Sequence, residues 1–145
     1  MASERLGKLP PRYSFGLNTY GETRFSKCPI CDKRTHPRKF ALFILIDGWG
    51  PMALGKTCRH CSRCELIIAH QDELEHELVI ALEKHAPSVI GNEYMVFGTM
   101  ERKVWQRHLK EGPGDFNEML DHIADFKKEF DLHYEPPGWH PSNDM

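Results

Sequence analysis

Five cysteines fall in two short stretches. "KCPICDK" holds Cys28 and Cys31, and "TCRHCSRCEL" holds Cys58, Cys61 and Cys64. A Cys-x-x-Cys pair grips one ion from a single tight turn, and two such pairs complete the tetrahedron of thiolates that a structural zinc ion takes. Four ligands are needed and five thiols are present, so the second stretch poses a choice. Cys58 with Cys61 makes a turn ahead of any helix. Cys61 with Cys64 puts the last ligand inside a first helical turn. Ser62 followed three residues later by Glu65 has the letters of a capping box, which favours the second pairing. A helix N-terminus there also stabilises a thiolate. The spacing therefore assigns Cys28, Cys31, Cys61 and Cys64 as ligands of a structural four-cysteine zinc site, with Cys58 as the competing fourth ligand.

Other chemistries use the same letters. Cys58, Cys61 and Cys64 have the spacing of three ligands of a bacterial iron–sulfur cluster, but the fourth cysteine lies upstream rather than shortly after them. "CPIC" matches a redox pair without the βαβ context that such a pair needs. A spare fifth cysteine beside Arg59, His60 and Arg63 could act as a redox or metal-sensing switch, or simply sit in the core. His60 could replace one thiolate. Just upstream, "GPMALGKT" from Gly50 to Thr57 fits the phosphate-loop pattern, with Lys56 and Thr57 in the nucleotide-binding positions. Against it stand the intervening "DGW" turn and too few strands for the parallel sheet that such loops need. His70 suits packing, and Glu73-x-x-His76 lacks the second copy that a di-iron bundle requires. Trp105 among Arg102, Lys103, Arg107 and Lys110 could stack a base or be a buried ring on a charged helix. No residue is assigned as catalytic.

These groups must be held by regular elements. "FALFILI", residues 40–46, is the clearest strand, and "DGWGP" turns it back into a short strand through Met52–Leu54. The apolar residues Ile67, Leu74, Leu78, Ala81 and Leu82 predict a helix over 63–85 from the Ser62 cap, closed by Pro87. "EYMVFGT", residues 93–99, is a second strand, followed by a short helix capped by Thr99. Asp115 with Glu118 opens another helix, whose face is Phe116, Leu120, Ile123 and Phe126 or Lys127, then Phe130. The fold class is α+β: a small zinc-stapled hairpin of residues 35–56 packed with two or three helices. An irregular arm spans 1–24, a single zinc-binding domain 25–133, and a loose Pro-rich tail 134–145.

The two cysteine turns bracketing a hairpin resemble the zinc-ribbon and treble-clef class of zinc fingers over residues 25–70. More widely, the order of "CPIC", "TCRHCSRCELIIAHQDELE" and "GTMERKVW" resembles a family of bacterial proteins of similar length with no assigned activity. That likeness implies only that the cysteine turns and the segment after Glu93 share one domain.

The 145 residues suit one domain. A net charge of −2 hides an asymmetry. Residues 1–64 carry twelve Lys and Arg against four acids, and the remainder seven against seventeen. The basic half points to a nucleic-acid or acidic protein partner, unless the two halves neutralise each other. The N-terminus lacks the apolar stretch of a secretory signal, and no run is long and apolar enough to span a bilayer. A cytoplasmic location is expected, where closely spaced thiols favour metal over disulfides.

Overall fold

The structure, a computed structural model, describes residues 6–111, 116–130 and 132. In chain order the strands are β1 (Ser14–Asn18), β2 (His36–Ile46), β3 (Gly50–Cys61), β4 (Leu66–His70), β5 (Tyr94–Met100), β6 (Ile123–Asp125) and β7 (Glu129–Phe130). The helices are α1 (Gln71–His85), α2 (Arg102–Glu111) and α3 (Phe116–Leu120). The strands form one mixed sheet in the order β6-β5-β2-β3-β4-β1-β7. The expected architecture, a zinc-ribbon or treble-clef-like hairpin packed with helices, is therefore overturned: a curled seven-stranded sheet is the body of the molecule, and the cysteine turns are appended to it.

The apolar run behaves as its composition dictates. Successive side chains of a strand point to opposite faces, and β2 is buried on both. Phe40, Leu42 and Ile44 enter one cluster with Leu74, Leu78 and Leu82 of α1. Ala41 and Phe43 enter another with Val104 and Trp105 of α2 and with Ile123. The Asp47–Trp49 turn reverses the chain through Gly48 and Gly50, both at positive φ. The return strand is much longer than Met52–Leu54, because β3 pairs with β2 from Ile46↔Gly50 to His36↔His60.

Closure comes from a short segment. β6 pairs with β5 at one edge of the sheet, and β7 pairs with β1 at the other. Only residues 126–128 separate them. The Phe126 amide donates to Phe97 and the Lys127 amide to Tyr13 (2.9 and 2.7 Å). Residues 123–130 thus touch both edges and close the sheet into a small barrel.

The helix expected over 63–85 begins only at Gln71. Residues 62–65 are a turn, and Leu66–Ala69 is a strand buried on both faces, which removes the amphipathic signal that would separate it from helix. Ser62 caps nothing; the helix N-cap is His70, without a side-chain cap bond. The helix expected from Asp115 through Phe130 ends at Leu120, and Ile123 onward closes the barrel instead; Asp115 itself lies outside the described residues. Within the arm expected to be irregular, residues 14–18 form β1, paired with β4 in parallel from Ser14↔Leu66 to Asn18↔His70. The tail 134–145 lies outside the described residues.

Candidate metal centre

Each cysteine pair sits on a hairpin. In the first, the Cys28 amide donates to the Lys33 carbonyl (2.7 Å) and Lys27 bridges Arg34. In the second, Cys61 at the end of β3 pairs with Leu66 at the start of β4. Both hairpins therefore enclose a four-residue loop that ends with the second cysteine and one further residue. The loops meet. The sulfurs of Cys28, Cys31, Cys61 and Cys64 all lie within 4.8 Å of one another. Cys28 Sγ is 3.9 Å from Cys64 Sγ, and Cys31 Sγ is 3.5 Å from Cys61 Sγ.

These spacings fit one ion. With a metal–sulfur bond of about 2.3 Å, a tetrahedron places its sulfurs about 3.8 Å apart. All four thiols are free, far beyond a disulfide bond length. Backbone amides aim at the sulfurs: Ile30 donates to Cys28 Sγ and Cys64 to Cys61 Sγ (3.4 and 3.5 Å). Such donors stabilise thiolate over thiol. The amide of Lys33 brings Cys31 down to about 7, whereas burial and the neighbouring thiols push Cys64 up to about 12. Cys28 is raised, chiefly by burial. Cys31 thus ionises more readily than Cys28 or Cys64.

The frame behind the site is tied by Arg59. Its guanidinium donates to Thr35 Oγ1 and to the Thr35 carbonyl (3.0 and 2.7 Å), and Thr35 Oγ1 donates to the Phe25 carbonyl (2.8 Å). Thr35 is fully buried. These bonds lock the first cysteine turn against β3. Beneath the sulfurs lie Phe25, Leu66, Ile68 and Leu132.

Cys58 does not join the cluster. It faces the barrel interior, 3% exposed, and burial drives its thiol up to about 12. A sensing role for the fifth cysteine needs an accessible thiolate, and this sulfur is neither accessible nor ionised. His60 also stays out: it is wedged against Tyr13 and Phe40, with Nε2 2.8 Å from Glu65. His70 bonds the Gly21 carbonyl through Nε2 (3.0 Å).

The phosphate-loop letters form no loop. Gly50–Thr57 is ladder-paired strand, so its amides are not gathered around an anion. Lys56 is 5% exposed and bound to Glu73 and Glu77 of α1 (3.1 and 3.7 Å). Trp105 is likewise buried, its ring lying over Gly55 with the Lys39 ammonium 5.3 Å from its centroid, so it offers no open stacking face. Sequence reasoning missed the Arg59–Thr35 tie, which brings residues 24 positions apart together and has no local pattern.

The two charged halves do meet. Lys8, Arg12, Arg24 and Lys56 pair with Asp121, Glu65, Glu73 and Glu77 of the acidic half. Among the described residues no helix is long and apolar enough to cross a membrane. Compared with protein-family models, curated proteins and solved structures, the chain matches none.

Proposed function

We propose that this chain is a zinc-stapled binding module that contacts a polyanionic partner through its basic half. The carrying observation is the spacing of the four sulfurs. Thiolates this close enclose a single ion rather than a multi-iron cluster, and four thiolates set for a tetrahedron suit the closed coordination of a structural zinc. All four places are filled by protein, leaving no open position for substrate, so the ion's work is structural. It joins the turn before β2 to the turn between β3 and β4. Metal-binding free energy then becomes folding free energy. The polyanion part rests on the basic residues that the acidic half leaves uncompensated.

Elemental analysis of the purified protein tests the metal. One zinc per chain is expected, with loss of structure on strong chelation and recovery on adding zinc. Iron at that stoichiometry, or a protein that folds and melts identically without metal, overturns it.

A further inference from the structure

We infer that one cleft of the barrel binds the phosphodiester backbone of single-stranded nucleic acid, an inference that rests on the polyanion reading above and names its surface and ligand. The cleft, about 660 Å³, opens where residues 9–13, the start of β2, the end of β5 and the first turn of α2 meet. Five cations line it: Arg12, Arg38, Lys39, Arg102 and Lys103. Among the described residues that line it, the one acid, Glu101, is engaged by His122 Nδ1 at 2.6 Å. Arg12 is shared with Glu65. Among the described residues, the other four cations have no carboxylate within 4.0 Å.

The fold assembles this cleft from distant parts. Arg38 and Lys39 belong to the basic half, and Arg102 and Lys103 to the helix after β5. Curling of the sheet brings them to one concavity over a floor that includes Tyr13, Phe40 and Met100. Arg38 lies 4.9 Å from the Phe40 centroid and 5.9 Å from that of Tyr13, and Arg12 lies 4.9 Å from Tyr13. These cation–π contacts restrain the guanidiniums before any ligand arrives, so less side-chain freedom is lost on binding. An ordered guanidinium offers its edge to phosphate and its open face to a base, the combination used on unpaired strands. An acidic peptide can use only the edge. A duplex is served by a projecting helix or ribbon, whereas this surface is a concave groove.

The test is fluorescence anisotropy of the zinc-loaded full chain with labelled U20 and dT20, a 20-bp duplex and a poly-glutamate peptide, zinc content being measured on the same samples. The single strands should bind best. Four phosphate contacts give a log–log salt slope of about −3, so raising salt from 50 to 200 mM weakens binding about fiftyfold. Arg38→Ala/Lys39→Ala and Arg102→Ala/Lys103→Ala should each make the slope shallower by about 1.4. Arg107→Ala/Lys110→Ala, the same charge change on α2 outside the cleft, should leave it unchanged. Absence of single-strand binding by zinc-loaded protein, equal loss in the control pair, or tighter binding of duplex or poly-glutamate overturns the inference. Absence of zinc in those samples overturns the metal reading instead.

Discussion

Asp32 and Glu65 occupy the same place in the two cysteine turns, and both have left-handed backbones, with φ of 66° and 53°. Each directly follows the second cysteine of its pair. The position is one that glycine occupies without strain, that aspartate tolerates, and that longer or β-branched residues occupy at a cost. Asp32→Gly should therefore stabilise the zinc-loaded protein by roughly 0.5–1 kcal/mol, and Asp32→Val should destabilise it by a similar amount or more. Urea unfolding at saturating zinc measures both. In Glu65→Gly the same relief is offset, because Glu65 also holds His60 and Arg12.

Serine at 28, 31, 61 or 64 should lower zinc to well below one per chain and leave the protein largely unfolded at low free zinc. Cys58→Ala should keep the full zinc content and lose only roughly 1 kcal/mol, the cost of a small vacated volume in the core. Elemental analysis beside thermal unfolding separates the two classes. A zinc loss with Cys58→Ala comparable to that with Cys64→Ser would show that the fourth ligand had been misassigned.

Gly55 sits directly beneath Trp105. A methyl group there would lie 2.3 Å from the indole ring, so Gly55→Ala must displace the ring or the strand. The expected cost is about 1–3 kcal/mol. Shifted Trp emission and a lowered melting temperature, with zinc content unchanged, are the signs to look for.

Acid should act through Glu73. The Lys56 ammonium, with Arg24 beside it, holds this carboxylate below its ordinary value near 4.5. A carboxyl depressed in the folded state stabilises the fold above its unfolded value, and that contribution disappears as pH falls through the depressed one. The stability difference between the native protein and Glu73→Gln should thus be constant near neutral pH and shrink below about pH 4.5. Comparing the two proteins removes the separate effect of acid on the thiolates. A difference that widens on acidification would contradict the ion pair.

The local features were legible in the sequence and the long-range ones were not. The Cys-x-x-Cys turns, the β2 strand and its Asp-Gly reversal each depend on residues within a few positions of one another. Ser62 and Glu65 misled because the same letters suit a capped helix and a tight turn, and the apolar run of residues 66–69 shows no amphipathic period to decide between them. β6 and β7 are three and two residues long, too short for any alternation to register. Their pairing depends on Tyr13, Phe97 and Phe15, far away in the chain.

The segment that closes the sheet comes late in the sequence, and this sets an order of events. Until residues 123–130 emerge, β5 and β1 each present an unpaired edge, a template for joining another chain. A nascent or truncated chain ending before Ile123 would carry two adhesive borders. Residues 123–130 cover both borders with a single stroke of eight residues, so a few residues of sequence decide whether those edges are paired within the chain or left open to strand exchange.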